Sequence, residues 1–235
     1  MMDGTRAILI TFSIAFELLG ICFTIYAILS SAWQTANLDN SLHEHGLWLD
    51  CIVQNKNRNF NFSESTRCYY KFDFERNYGN FDPEYLATAE VGRHRFFRWQ
   101  KSVIILLGIS LCTAIFGVLN GVLNLLILCF GLCLPRLCAL CSLPFTFMFA
   151  VTVLVTAIFS LVGESVFYVF AMQPQIRFIG NIQRIEQKLG LAFYVQMCAC
   201  LMNLLAFIFV LVAIGIFYLH WKQRRSSTQR IFFTY

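Results

Sequence analysis

Residues 44–51 read Glu-His-Gly-Leu-Trp-Leu-Asp-Cys, and they lie in a polar stretch between long apolar segments. Trp33 precedes these residues and Cys68 follows them. Two cysteines in a polar loop that follows a hydrophobic segment indicate a disulfide formed in an oxidising compartment, in preference to a reactive thiol pair. The sequence therefore predicts a loop cross-linked between Cys51 and Cys68, which the apolar segments hold outside a membrane.

The composition excludes an ordinary soluble domain. Of the 235 residues, 58% are hydrophobic and 13% are charged, whereas soluble domains are about 25% charged. A membrane-spanning helix needs about 20 mainly apolar residues. Four segments meet this requirement, at 7–30, 102–126, 143–162 and 191–219. We expect a single membrane domain over residues 1–235, with outer loops 31–101 and 163–190 and a tail at 220–235.

The charges of the loops predict the orientation of the chain. The two outer loops are neutral or nearly so, whereas the termini and the short segment 127–142 are basic. Their charged residues are Arg6, Arg136, Lys222, Arg224, Arg225 and Arg230 against Asp3. Short basic segments stay on the cytosolic side of a membrane. Both termini are therefore expected in the cytosol and both longer loops outside. As a separate expectation, the membrane is the plasma membrane.

The first outer loop has the pattern of a small antiparallel sheet. From Ser31 it consists of short runs with β-branched and aromatic residues, separated by Asn, Gly and Asp, which favours strands joined by turns. Cys51 and Cys68 are expected to join neighbouring strands. Asn61-Phe62-Ser63, between these cysteines, is an acceptor sequence for N-linked glycans, and we expect a glycan on Asn61.

The order Trp33, Gly46-Leu47-Trp48, Cys51 and Cys68, placed after a first span, resembles the signature of the claudin superfamily. That superfamily takes in claudins, the epithelial and peripheral myelin membrane proteins, and calcium-channel gamma subunits. Residues 44–51 are most similar to the invertebrate claudin-like branch called Clc-like. The resemblance implies a four-helix membrane bundle with a small antiparallel sheet outside. It also implies that Trp33 and Trp48 anchor the sheet on the outer helix ends, beside the alternative of ordinary sheet packing.

Members of the superfamily act by binding other proteins, and the resemblance implies two roles. One is adhesion or junction organisation at cell contacts, through copies in the same or the opposite membrane; the other is that of an auxiliary subunit beside a channel or receptor. The longer cysteine spacing, the glycan acceptor and the neutral outer surface depart from typical claudins. These departures weaken the case for an ion-selective barrier without deciding between the two roles.

The predicted spans contain the polar residues Glu17, Asn120, Asn124 and Asn203. An ionised carboxylate at the depth of Glu17 is costly, so we expect this side chain to face the bundle. Two interpretations remain open for it: a carboxyl hydrogen-bonded to amides such as these asparagines or Gln196, or a contact or ion site used in function. The asparagines themselves are typical packing residues between helices.

A cluster of cysteines follows the second span, at Cys129, Cys133, Cys138 and Cys141. Four thiolates suffice for a zinc site, but the neighbouring residues are mostly apolar. S-palmitoylation at the cytosolic membrane edge, or plain apolar packing, agrees better with this setting. We therefore predict possible acylation sites and no metal ligands.

No catalytic constellation is visible, and we expect neither an enzyme nor a cofactor. His43 and His45 flank Glu44 without a matching nucleophile, so they are predicted to lie on the surface.

Arginine and aromatic residues at 93–101 are interpreted as an outer membrane anchor, where Arg95 or Arg98 matches a claudin arginine, and not as a nucleic-acid patch.

Two predictions concern the C-terminal part of the chain. Isoleucines recur at helical spacing in residues 175–189, which predicts a helical extension into the fourth span. The last residues, Phe233, Thr234 and Tyr235, match a strand that could enter a PDZ groove. The basic tail before them could bind anionic lipid, or it could be a plain solvated end.

Overall fold

The structure, a computed structural model, describes residues 2–38, 41–54, 66–72, 97–131, 135–173, 178–179 and 185–232. Within them lie four long helices, α1 (Met2–Leu29), α2 (Arg98–Gly131), α3 (Pro135–Ala171) and α4 (Leu191–Phe232). Each contains a segment long and apolar enough to cross a membrane: Gly4–Leu29, Arg98–Leu128, Pro144–Ala171 and Leu191–Leu219. The prediction of four membrane helices is confirmed.

The helices expose large apolar side chains as well as burying them. Phe12, Phe116, Phe147 and Ile208, one on each helix, are more than half exposed. A water-soluble bundle would place polar residues on these faces. The bilayer is therefore the solvent of the outer helix faces.

Seven strands accompany the helices within the described residues. They are β1 (Gln34–Leu38), β2 (Ser41–His45), β3 (Leu49–Gln54), β4 (Thr66–Tyr70), β5 (Phe178–Ile179), β6 (Ile185–Glu186) and β7 (Lys188–Leu189). Five of them form an antiparallel sheet in the order β4-β3-β2-β1-β7, and β5 pairs with β6. The predicted small antiparallel sheet is confirmed, and the fold combines a membrane bundle with this sheet.

The predicted helical extension over 175–189 is wrong, because the described part of this segment forms strands. Gln34 and Thr35 of β1 pair with Leu189 and Lys188 of β7. Isoleucine is β-branched and suits a strand as well as a helix. Pairing with β1, which is far away in the sequence, therefore favours strands over a helix in this segment.

Helix α3 extends further than the sequence predicts. It continues through Gly163 to Ala171, whereas the third span was expected to end at residue 162. Gly163 does not end the helix because it serves close packing: an added Cβ there would lie 3.2 Å from Leu107 and 3.4 Å from Leu106.

The chain divides into two compact units, and segments of all four helices enter both. The helical unit comprises Met1–Ile21, Ser110–Ile158 and Cys200–Tyr235. Its core contains Ile10, Ile14, Phe149, Val153, Ala206 and Val210. The sheet unit comprises Cys22–Ile109 and Phe159–Ala199. Its core is built on Trp33, Leu47, Trp99, Val103, Phe167 and Phe193.

Candidate functional site

The Gly-Leu-Trp sequence forms a turn between β2 and β3, which we call the motif turn (residues 46–48). The Gly46 N–H donates to Leu49 O over 3.0 Å and closes the turn. A Cβ on Gly46 would lie 2.5 Å from Leu49 O and 2.9 Å from Ser30 O. Only glycine therefore lets the turn approach the chain that leaves α1.

Trp33 joins the start of the sheet to α1. Its indole N–H donates to Ala27 O, in the last turn of α1, over 2.6 Å. The ring is fully buried and packs against Phe167, with ring centroids 4.6 Å apart. Trp48 is only partly buried. The two motif tryptophans therefore have different environments, and Trp33 is the one buried in the core.

A buried ion pair lies behind the motif turn. Lys71 Nζ is 3.2 Å from Asp50 Oδ1 and donates to Gly46 O over 2.7 Å. The two side chains are only 2% and 1% exposed. Burial lowers the pKa of the Lys71 ammonium, although the Asp50 carboxylate opposes this shift. The pair thus connects the end of β4, the start of β3 and the motif turn.

Two histidines predicted at the surface are buried instead. His43 and His45 are each 6% exposed, and His45 Nδ1 lies 3.5 Å from Asp50 Oδ2. The prediction failed because the His-Glu-His alternation belongs to strand β2, whose two histidines share one face. Glu44 points to the other face, where it accepts a hydrogen bond of 2.6 Å from the Ser31 hydroxyl.

The roles of Asp50 and Lys71 do not follow from the sequence motif. Asp50 is one residue of the motif segment 44–51, and Lys71 has the sequence context of an ordinary loop lysine. The sequence contains one indication: Lys71 is flanked along the chain by Tyr69, Tyr70 and Phe72. A lone lysine within an aromatic run at the end of a strand needs a buried counter-charge when it packs inward.

Cys51 and Cys68 are bonded to each other, and they stand opposite one another in the register of β3 and β4. The predicted disulfide between neighbouring strands is confirmed. Closing a loop of this size stabilises the folded state by about 3 kcal/mol in the chain-entropy account. The glycan acceptor Asn61, which belongs to the enclosed loop, lies outside the described residues.

The polar residues of the spans have separate partners. Asn124 donates to Thr146 Oγ1 over 2.9 Å, and Asn120 donates to Phe116 O of its own helix over 3.0 Å. Gln196 donates to the Ser160 hydroxyl over 3.0 Å. Glu17 is fully buried, and within the described chain the Thr156 hydroxyl is the donor found beside its carboxyl. The expected amide partner of Glu17 is therefore not seen there.

The described residues include only some of the candidate residues. Cys133, Arg95 and Phe233, Thr234 and Tyr235 lie outside the described residues, as do the side chains of Cys129, Cys138 and Cys141. Arg98 is the first residue of α2 and is exposed. Across the described ranges, no three His, Cys, Asp or Glu side chains are grouped so that they could hold a metal ion.

Four membrane helices, with a disulfide-bonded antiparallel sheet in the segment after the first, define a claudin-like membrane protein. The sequence model of the family described as Clc-like matches residues 7–220. The chain therefore belongs to the Clc-like family, the claudin-like branch of the claudin superfamily, as its motif residues predicted. No match to the chain was found among curated proteins.

Proposed function

We propose that this protein acts without catalysis, by binding other proteins where two cells meet. The observation that carries the proposal is a cross-linked sheet whose edge strand, among the described residues, has exposed side chains. The Cys51–Cys68 disulfide and the Asp50–Lys71 ion pair both attach β4 to the rest of the sheet. A surface fixed in this way loses little conformational freedom when it binds, which favours affinity.

In this proposal the sheet faces the outside of the plasma membrane and both termini face the cytosol. The basic residues of the termini and of the 127–142 segment support that orientation. The disulfide supports it too, because such bonds persist on the oxidising side of the membrane. A glycan on Asn61 belongs to the same proposal.

Strand β4 supplies the proposed contact surface. All five residues of Thr66–Tyr70 have exposed side chains. Tyr69 and Tyr70 are 46% and 55% exposed, and Phe72, just beyond the strand, is 50% exposed. Tyrosine and phenylalanine are enriched in protein interfaces because their rings bury a large area at low entropic cost. We expect these aromatic side chains to form the centre of the contact.

The experiment uses cells that lack junctional strands, with expressing and non-expressing cells mixed. The fluorescently tagged full-length protein should concentrate only where two expressing cells meet. Tyr70→Asp should abolish this enrichment without reducing surface delivery. Thr66→Asp, which adds the same charge at another exposed position of β4, is the matched control and should retain it.

An even distribution over the surface would argue against pairing between cells. The auxiliary role beside a channel or receptor in the same membrane would then be the better account. Native co-purification of a channel with the wild-type protein would be the next measurement in that case.

A further inference from the structure

In the described part of the chain, the carboxyl group of Glu17 is buried among too few hydrogen-bond donors to satisfy both of its oxygens. Glu17 belongs to the buried face of α1 in the helical unit, and its side chain is fully buried. The Thr156 hydroxyl is close enough to share a hydrogen bond with the Glu17 carboxyl, but it also contacts Thr113 Oγ1 and Thr152 O, each at 3.0 Å. Within the described residues, no other donor is found for either Glu17 oxygen. The site therefore presents acceptor atoms without a positive partner.

Helix α4 carries a second buried oxygen, Asn203 Oδ1, at about the same level along the bundle as Glu17. The Ser13 hydroxyl donates to Ala206 O over 2.8 Å, and the Arg6 guanidinium stands 4.6 Å above the Phe217 ring. The two contacts show that α1 and α4 run in opposite directions. Glu17 lies one turn after Ser13 in α1, and Asn203 lies one turn before Ala206 in α4. The antiparallel arrangement therefore places Asn203 at about the level of Glu17. Asn203 is 2% exposed, and its Oδ1 accepts no hydrogen bond within the described chain.

Gly117 of α2 has no side chain, so the helix backbone lies close to two oxygens of the site. A Cβ on Gly117 would lie 3.8 Å from Glu17 Oε1 and 3.2 Å from Thr152 Oγ1. Glu17 of α1 and Thr152 of α3 therefore each place an oxygen beside the position where α2 has no side chain, and Asn203 of α4 lies at the same level. Oxygen donors of this kind suit small hard cations.

The charge of the site indicates the charge of the ion that it would bind. Glu17 supplies one negative charge, and the next basic residue towards the start of α1, Arg6, is about 16 Å away along the helix. A monovalent cation neutralises the carboxylate, whereas a divalent one would leave a net charge within the bundle. A proton would provide only one new hydrogen bond and would leave other acceptors unmatched.

We propose that Glu17, Thr152 and Asn203 form an intramembrane binding site for a small monovalent cation such as Na⁺. The proposal is independent of binding between cells, since it concerns the helical unit alone. The bound ion would stabilise the packing of the helices that supply its ligands.

The test measures thermal unfolding of the full-length protein in detergent micelles, at constant pH and ionic strength. NaCl is compared with the chloride of N-methylglucamine, an ion too large for the site. We expect Na⁺ to raise the wild-type midpoint by roughly 5 °C when it is far above its dissociation constant. Glu17→Gln should remove this response. Glu164→Gln, which changes a buried span carboxyl of the sheet unit, is the matched control and should retain it.

Gly117→Ala gives a second variant that keeps the carboxylate, should Glu17→Gln fail to fold. Its added methyl group narrows the site, so the Na⁺ response should weaken at least tenfold in apparent affinity. A wild-type midpoint that is equal in the two salts would overturn the proposal. So would a Na⁺ response that survives in Glu17→Gln or is undiminished in Gly117→Ala, because the ion would then bind elsewhere.

Discussion

Lys71 and Asp50 form an ion pair inside the sheet unit, with Nζ 3.2 Å from Oδ1 and almost no exposure of either side chain. Lys71 also donates to Gly46 O. One ammonium group thus attaches the end of β4 to the motif turn. The turn that identifies the family by sequence is therefore held partly by a lysine outside the motif.

Removing the lysine should destabilise the protein strongly. Lys71→Met leaves the Asp50 carboxylate buried without its counter-charge, which costs about 3–5 kcal/mol. Thermal unfolding in detergent and delivery to the cell surface measure the effect. Arg67→Met is the matched control, because Arg67 is an exposed residue of the same strand and should change stability by less than about 0.5 kcal/mol. Equal losses in the two variants would contradict a special role for the pair.

Replacing both partners should cost less than replacing one. In the double variant Lys71→Met, Asp50→Leu no charge remains buried, so a large part of the stability lost in Lys71→Met should return. Gly46 O would still lose its donor, which keeps the recovery incomplete. A double variant less stable than Lys71→Met would show that the carboxylate has another essential partner.

Stability should rise with pH on the alkaline side because of Lys71. Burial lowers the pKa of its ammonium group below the ordinary value of about 10.4. Between the lowered pKa and about 10.4, the unfolded chain binds a proton that the folded chain has released. The free energy of unfolding therefore increases with pH in that window, by at most about 1.4 kcal/mol per pH unit.

The measurement compares thermal midpoints from pH 7 to 10 in the wild type and in the double variant Lys71→Met, Asp50→Leu. The difference between them should grow towards alkaline pH. Lys188→Met, which removes an exposed lysine of β7, is the control and should follow the wild type. A difference that shrinks with pH would mean that the charged pair outweighs the burial of the ammonium.

Much of this fold follows from local patterns in the sequence. The apolar runs predict the four spans because length and hydropathy suffice for that purpose. The cysteine pair and the alternating runs predict the disulfide and the sheet. The Asp50–Lys71 pair could not be predicted, because residues on different strands meet only through the register of β3 with β4. The pairing of β7 with β1 depends on tertiary packing in the same way.

The two motif tryptophans should differ in their effect on stability. Trp33→Ala removes a fully buried ring and the donor to Ala27 O, and we expect a loss of about 3–5 kcal/mol. Trp48 is only partly buried, so Trp48→Ala should cost clearly less. Surface delivery and the thermal midpoint of each variant are compared. A Trp48→Ala protein as unstable as Trp33→Ala would show that the motif acts through both rings alike.

Gly46→Ala should distort the motif turn. Its Cβ would lie 2.5 Å from Leu49 O and 2.9 Å from Ser31 Cα, both backbone atoms that cannot move aside cheaply. Gly108→Ala is the matched control, because a Cβ there meets nothing within 4 Å, and alanine is the better helix former. The expected result is reduced surface delivery for Gly46→Ala alone. Normal delivery of both variants would show that the turn can relax.

The glycan acceptor provides a direct test of orientation. Asn61 belongs to the loop closed by the Cys51–Cys68 disulfide, so a glycan can be added there only if the sheet faces the lumen during synthesis. Glycosidase treatment should increase the gel mobility of the wild type and leave that of Asn61→Gln unchanged. An epitope tag on the C-terminus should be stained only after the cells are made permeable. A tag accessible on intact cells would reverse the proposed orientation, whereas an unshifted wild-type band would remove the glycan alone.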